Sequence, residues 1–232
     1  MKTPTKTQTK TKKTDDDAEV KYPRRDARRR QTRENILEAA RELFQAKGYD
    51  AVKMTDIAEA ADVHITTMFI HFGTKRDLAE ALADIELEAL QRAIDTAQGR
   101  TPFFTFFRNL VTRWAKEVKS GRKDGASFSQ DVRSNPELTL SWLVHHKREV
   151  MLYARYFAAD YGMDAEKDLP PFLVATMLTG GNVVAHDRWM RSKGRVDLLK
   201  GALAAIDVCQ QMVENTYGQP GDPKASGQVG EI

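Results

Sequence analysis

The stretch "TDIAEAADVHITTMFIHFGTK", Thr55 to Lys75, decides the fold of this chain. Apolar residues recur at helical spacing on both sides of a break at Asp62-Val63, which predicts one helix over about 54–61 and another over about 65–72. Helices this short are unstable alone and need tertiary packing. Two short helices joined by a turn of about three residues have the sequence form of a helix-turn-helix.

A longer helix before this pair can supply the surface on which it packs. Its apolar face between about 32 and 47 consists of Ile36, Ala40, Leu43 and Phe44. Gly48 follows as a left-handed stop. If Met68 and Phe72 face this helix, the outer face of the last short helix carries Ile65, Thr66, Thr67, Phe69 and His71. Such a face suits a DNA groove, because hydroxyls bond phosphates and apolar groups meet thymine methyls. Short helix pairs of this kind also occur as ordinary core.

Composition limits the class of protein. The chain has 232 residues and is 41% hydrophobic, enough for a large core, yet its apolar runs are too short for a membrane helix. The N-terminus shows no apolar signal region, and the single cysteine, Cys209, excludes an internal disulfide. These features predict a cytoplasmic protein. No metal site, cofactor site or catalytic constellation is predicted, so an enzyme or a small-molecule carrier of helical fold is the weaker alternative.

Positive charge is concentrated at the N-terminus. Residues 1–30 hold 11 Lys and Arg against 5 Asp and Glu, so the remaining 202 residues carry a net charge of −3. The Lys/Thr-rich opening has almost no apolar side chains and is predicted to be disordered. The segment "RRDARRR" (24–30) follows at the edge of the first helix. It is either part of a solubilising tail or a basic arm that follows phosphates.

The whole chain reads as helical, which predicts an all-α fold of about nine helices. Four segments are expected: a disordered basic tail (1–27), a helix-turn-helix domain (28–74), a helical body (75–217) and a second disordered tail (218–232). Thr74-x-x-Asp77 forms a capping box that starts a long helix to about Gln98. Later helices are expected from Pro102, over about 136–161, 170–193 and 196–217, with a Gly/Ser/Lys-rich loop at 121–129.

Three segments resemble the N-terminal domain of the TetR family of transcriptional regulators. These are "ILEAARELFQAKGYD", "MTDIAEAADV" and "TTMFIHFGTKRDLAEAL", which agree with the family in order, spacing and length over about residues 30–82. The remainder is similar to the family only in length and helical layout. The resemblance implies a homodimeric DNA-binding regulator, most simply a repressor that a small molecule releases from a palindromic operator. An effector-independent or activating regulator is the alternative within the family.

The resemblance also assigns roles to residues. Thr55, Ile65 and Thr66 would approach base edges, while Thr67, Phe69 and Lys75 would hold phosphates and His71 would lie at the groove. The chain departs from the family pattern at Lys53, Asp62, His64, Ile65 and Phe69. Lys53 replaces a capping Ser or Thr, Asp62 a turn Gly, and His64 a common Ser. The predicted DNA-binding set is therefore Lys53, Thr55, His64, Ile65, Thr66, Thr67, Phe69, His71 and Lys75.

The body offers candidates for dimerisation and for ligand binding. Apolar residues in the last two helices are expected to form a two-fold interface: Val174, Met177, Leu178, Val184, Leu199, Leu203, Ile206 and Met212. Aromatic residues are expected to line a site for an apolar effector: Phe103, Phe107, Trp114, Trp142, Tyr153, Phe157 and Trp189. The Phe103–Trp114 stripe is also typical of plain core. His145-His146 are expected to be packing or surface residues, because adjacent helix positions point about 100° apart. His186-Asp187 is expected to be a plain polar helix position, with a ligand contact as the alternative.

Overall fold

The computed structural model describes residues 23–120 and 135–221, which form eight α-helices and no strand. The helices are α1 (Pro23–Lys47), α2 (Met54–Ala60), α3 (Ile65–His71), α4 (Lys75–Ala97), α5 (Phe103–Lys119), α6 (Pro136–Tyr161), α7 (Leu169–Arg191) and α8 (Leu198–Tyr217). The all-α class is confirmed, with one helix fewer in these ranges than the nine expected. None of these helices is both long and apolar enough to cross a bilayer.

Helix boundaries agree with the sequence except at the N-terminus. α1 begins at Pro23, whereas the sequence pattern placed its start near Thr32 and a disordered tail over 1–27. The correction has a physical reason: the added turns are rich in arginine and have no apolar face, so periodicity cannot reveal them. The rest of that tail, the loop predicted at 121–129 and residues 222–232 lie outside the described residues.

The helices enclose two hydrophobic cores. α1 to α3 and the start of α4 form a head around Ile36, Ile57, Met68 and Leu78, each with no exposed surface. α5 to α8 and the end of α4 form a larger body core. Gly48 ends α1 with φ 80°, a left-handed conformation that glycine adopts without strain.

α4 belongs to both cores and connects them mechanically. Its first three turns contact the head through Leu78, Leu82 and Ile85, and its last turns contact the body through Leu90 and Ile94. The capping box predicted at its start is present. Thr74 Oγ1 accepts from the Asp77 N–H at 3.1 Å, and the Asp77 carboxylate accepts from the Thr74 N–H at 2.9 Å.

A polar tie joins the middle of α4 to α6. The Asp84 carboxylate accepts a hydrogen bond from Arg148 at 2.5 Å and lies 3.3 Å from His145 Nε2. The hydrogen bond from Arg148 is the main cause that lowers the pKa of Asp84. His145 therefore links helices, whereas His146 stacks on Trp142 with ring centroids 4.7 Å apart. Any tilt of α4 must therefore either keep or break the contacts of Asp84 with Arg148 and His145.

The aromatic side chains of α5 and α6 pack tightly against one another. Ring centroids are 5.5 Å apart for Phe103–Phe157 and 5.0 Å for Phe107–Tyr153. Asp160 fixes the start of α5, since its carboxylate accepts from the Phe103 N–H at 2.6 Å. All four rings are buried. In this structure these four rings pack against one another between α5 and α6.

The apolar residues of α7 and α8 divide between the body core and the surface. Val174, Leu178 and Ile206 are buried in the core of their own chain, and Leu199 and Leu203 pack against it. The sequence placed all five at the dimer interface, and the burial of Val174, Leu178 and Ile206 in their own core corrects that expectation for these three. Met177, Val184 and Met212 are exposed in the single chain. Exposure of this kind is expected of residues that a partner chain would cover. Further exposed apolar residues on the same two helices are Phe172, Leu173, Val183 and Val208.

Candidate nucleic-acid interface

The head core fixes α3 and determines which of its faces is exposed. Met68 is fully buried and Phe72, just after the helix, is 4% exposed. The opposite face carries Thr66, Phe69 and Ile70, all exposed to solvent. Phe69 is 51% and Ile70 67% exposed, which leaves two large apolar side chains beside a hydroxyl on one free face. Large apolar side chains are usually buried, so their exposure on this face indicates a surface that binds a partner.

The turn before α3 is held by backbone bonds and by a histidine cap. The Val63 N–H donates to the Ala58 carbonyl at 3.0 Å. Asp62 has φ 52°, in the left-handed region that Asp tolerates better than most residues. The Thr66 N–H donates to His64 Nδ1 at 3.3 Å. His64 is therefore the N-cap of α3, which places its Nδ1 as an acceptor and explains how the helix begins without a Ser.

Seven of the nine predicted DNA-binding residues lie on α2, on α3 or directly before them with exposed or half-buried side chains, and two are exceptions. Lys53, Thr55, His64, Thr66 and Phe69 are exposed, and Thr67 and His71 are half-buried. The Lys53 N–H donates to the Asp56 carboxylate at 2.9 Å, which is the N3 half of a capping box at the start of α2. The first exception is Ile65, which packs against the head core and does not lie on the free face.

The second exception is Lys75. Its ammonium donates hydrogen bonds to the carbonyls of Tyr49 at 2.8 Å and Val52 at 3.0 Å, with the Asp50 carbonyl at 3.5 Å. It also lies 4.2 Å from the centroid of the Tyr49 ring. An ammonium has three N–H donors, and here the head's own loop accepts all three. The structure gives Lys75 a bracing role in place of the phosphate contact expected from the sequence.

Ile70 is the residue that the sequence interpretation missed. The signal was available, because Met68 and Phe72 mark the inner face at i and i+4. Ile70 lies about 200° around the helix from Met68, directly opposite. The interpretation passed over it because a β-branched apolar residue resembles core in a short apolar segment.

His71 lies at the C-terminal end of α3 close to arginine side chains of α1. Burial is the main cause that lowers the pKa of His71, and Arg29 and Arg33 lower it further. The Arg33 guanidinium lies 4.9 Å from the centroid of the Phe72 ring. The imidazole is therefore held in its neutral form next to a cationic surface.

The body places the remaining aromatic candidates around a histidine. His186 is 7% exposed, and its ring centroid lies 5.6 Å from that of Trp114 and 5.7 Å from that of Trp189. One turn earlier on α7, Asn182 Oδ1 is buried without a hydrogen-bond partner among the described residues. Of the seven predicted ring residues, Trp114 and Trp189 thus adjoin polar groups inside the body, while Trp142 stacks on His146 near the start of α6.

Comparison with known proteins agrees with this geometry. Residues 36–82 match the sequence model of the bacterial regulatory proteins of the tetR family. The chain is 28% identical to the HTH-type transcriptional regulator TcmR of Streptomyces glaucescens, over 83% of this chain and 88% of TcmR.

Solved structures show the same fold across head and body. FadR of Bacillus subtilis, a transcriptional regulator crystallised with stearoyl-CoA, superposes with a TM-score of 0.60 at 15% identity, covering 76% of this chain and 96% of FadR. The repressor FadR of Thermus thermophilus, crystallised with lauroyl-CoA, gives 0.55 at 20% identity, covering 80% and 94%. The matched segment 36–82 contains the whole helix-turn-helix described above. The chain therefore carries a tetR-family helix-turn-helix domain at residues 36–82 and is similar over most of its length to a transcriptional regulator.

Proposed function

We propose that the protein is a repressor that binds a palindromic operator as a homodimer and is released from it by a small, largely apolar effector. The observation that carries the proposal is the free face of α3. Thr66, Phe69 and Ile70 are exposed together on a helix whose other face is locked into the head core. A helix fixed in this way can enter the major groove as a rigid unit.

Roles within the groove follow from the chemistry of each side chain. Thr55 and Thr66 carry hydroxyls that can bond base edges or phosphates, and Ile70 can contact thymine methyl groups. Lys53 and Thr67 flank the free face and are assigned to the phosphates. His64 and His71 lie at the two ends of α3, where an imidazole N–H can donate a hydrogen bond to DNA. Phe69 is assigned to the sugar edge, because it has no polar atom to bond a phosphate.

Dimerisation is proposed through the outer face of α7 and α8. Leu173, Met177 and Val184 lie on α7 at i, i+4 and i+11, which is one face, and all three are exposed. Gly180 lies on the same face, and a Cβ added there would meet nothing within 4 Å. That space lets a second helix approach closely. A two-fold dimer would present two identical heads to an inverted repeat.

Effector control is proposed to act through α4. α4 is shared by both cores, so a change in the body reaches the head by moving this helix. The related FadR structures hold acyl-CoA ligands in complexes of the same fold. In this chain the effector site is assigned beside Trp114, Asn182 and His186, where polar groups lie inside an apolar body. The effector shifts the equilibrium only by its difference in affinity for the two body conformations.

A mobility-shift assay on DNA from beside the protein's own gene tests the proposal. The full chain should retard this DNA in the presence of excess random competitor. Replacing Thr55 and Thr66 by Ala should abolish that preference. Thr96→Ala is the matched control, because Thr96 is an exposed α4 hydroxyl bonded to its own helix at the Arg92 carbonyl, 2.8 Å away. Retardation that random competitor removes equally in all variants would overturn specific operator binding.

A further inference from the structure

The first three turns of α1 carry a ridge of arginine that the helix-turn-helix does not require. Its six members, all exposed, are Arg24, Arg25, Arg28, Arg29, Arg30 and Arg33. Asp26 is the one acidic residue among them. At about 1.5 Å rise per residue this places roughly one positive charge every 2.5 Å of helix axis. Duplex DNA carries one negative charge per about 1.7 Å of its own axis, a similar density.

Three arginines of this ridge share the face of α1 that packs against the head. Arg25, Arg29 and Arg33 precede Ile36 and Ala40 at i, i+4, i+8, i+11 and i+15, so all five share one face of α1. Ile36 and Ala40 are fully buried against the head. The three arginines, here called the arginine row, therefore continue the core-facing side of α1 past the point where the core ends.

Two contacts locate the arginine row beside the end of α3. Arg33 lies over the Phe72 ring at 4.9 Å from its centroid. Arg29 and Arg33 are also close enough to His71 to lower its pKa. The row thus begins beside the C-terminal end of α3 and extends away from it along α1.

The charges of the arginine row have no compensation inside the described residues. The ion pair that α1 forms there joins Arg41 to Glu38, several turns away from the row. The helix dipole adds to the imbalance, because cations in the first turns of a helix face its positive end. Such a helix is stabilised by an anionic surface from outside.

We infer that the arginine row is a second phosphate-binding surface, which lies along the DNA backbone next to the groove that α3 occupies. It extends the contact with DNA beyond the helix-turn-helix and supplies affinity that does not depend on sequence. This inference rests on the proposed DNA-binding function and on the continuity of the row with α3. The row reads no bases, because phosphates carry no sequence information.

The experiment compares two double variants of the full chain. Arg25→Gln with Arg29→Gln removes two charges of the row, and Arg24→Gln with Arg30→Gln removes two charges that point about 100–140° away from it. Gln matches Arg closely in helix propensity, so both variants keep α1. Arg33 is left intact because it packs on Phe72. Dissociation constants are measured from about 50 to 200 mM salt on a selected operator and on a random duplex.

The row variant should flatten the log–log salt slope by roughly 1.8 for each head, which corresponds to two phosphate contacts. The control variant should change it by less than half as much. Both should keep the wild-type preference for operator over random duplex. Arg25→Lys with Arg29→Lys should restore the slope, since the charge returns.

Equal flattening in the row and control variants would overturn the inference, because it would show a diffuse effect of net charge. An unchanged salt slope in both variants would also overturn the inference, because it would show that these arginines do not contact DNA phosphates. Neither result contradicts the proposed function as long as the protein still prefers the operator to the random duplex. Loss of any operator preference in the wild-type chain would instead reject the proposed function.

Discussion

Lys75, at the start of α4, donates a hydrogen bond to the carbonyl of Tyr49, 26 residues earlier, at 2.8 Å. The bond fastens the α1–α2 loop to the helix that connects head and body. Because the same ammonium also bonds the Val52 carbonyl at 3.0 Å, its loss removes two hydrogen bonds to part-buried acceptors.

Lys75→Met should therefore destabilise the head by about 1.5–3 kcal/mol, the range for hydrogen bonds to a charged group. Thermal unfolding followed by circular dichroism measures this loss. The salt slope of DNA binding should stay unchanged. A slope reduced by roughly 0.9 per head without loss of stability would show that Lys75 binds phosphate after all.

We expect that serine, the common residue at this position in the family pattern, can replace His64 as the N-cap of α3. His64→Ala removes the acceptor for the Thr66 N–H and should lower stability by about 0.5–2 kcal/mol. His64→Ser supplies a hydroxyl acceptor and should recover most of that loss. Thermal melting of the two variants against wild type checks the pair. Equal stability of the Ala and Ser variants would mean that the His64 contact does not cap the helix.

Phe69→Tyr should tighten DNA binding several-fold without changing the melting temperature. The side chain is 51% exposed on the free face of α3, so the added hydroxyl reaches a phosphate instead of the core. A hydrogen bond to a charged group is worth about 1.5–3 kcal/mol before water competes. The gain should be equal on operator and random duplex. A lower melting temperature without tighter DNA binding would show that the ring at position 69 packs into the head core.

The pH dependence of stability and of DNA binding should have opposite signs at His71. The pKa of His71 is lowered in the free protein, chiefly by burial and then by Arg29 and Arg33. The unfolded chain binds the proton more readily, so this contribution to stability is complete above about pH 6.5 and is lost as pH falls through the folded value. DNA phosphates raise the pKa again, so binding takes up a proton.

Operator affinity of the wild-type chain should consequently increase as pH falls from about 7.5 to 6, and His71→Gln should remove that increase. Fluorescence anisotropy at constant salt measures both. Identical pH profiles of operator affinity for the two proteins would show that His71 does not take up a proton when DNA binds.

The dimer should depend on the exposed stripe of α7 and α8. Val184→Glu with Met212→Glu places charges on side chains that are 59% and 52% exposed in one chain, so an isolated chain would tolerate them. In a dimer they would be buried against each other, and the protein should become monomeric. Light scattering at micromolar concentration measures the mass. Arg155→Glu is the control, since Arg155 is exposed on α6.

The sequence predicted those parts of the fold that local pattern determines. Met68 and Phe72 showed the inner face of α3, and Thr74 with Asp77 marked the start of α4. Lys75 could not be assigned correctly, because its partners lie about 25 residues away and are backbone carbonyls, which sequence does not display. The turns of α1 around Arg29 were missed because they bury nothing.

The body shows a different limit of sequence reasoning. An apolar stripe on α7 or α8 looks the same whether it faces its own core or a partner, so Leu178 and Met177 could not be told apart by periodicity. Their burial, 1% against 43% exposed, separates them at once. Rings such as Phe103 and Phe157 likewise serve core packing and ligand binding equally well until their contacts are known.

Selection of bound sequences from a random DNA pool by the full chain tests the proposed operator function most directly. A two-fold dimer with α3 in the major groove should enrich an inverted repeat whose half-site centres lie about 34–36 Å apart, or a multiple of that spacing. The Thr55→Ala, Thr66→Ala variant should enrich nothing at the same salt concentration. Failure of the folded wild-type dimer to enrich any inverted repeat at low salt would contradict the proposed function.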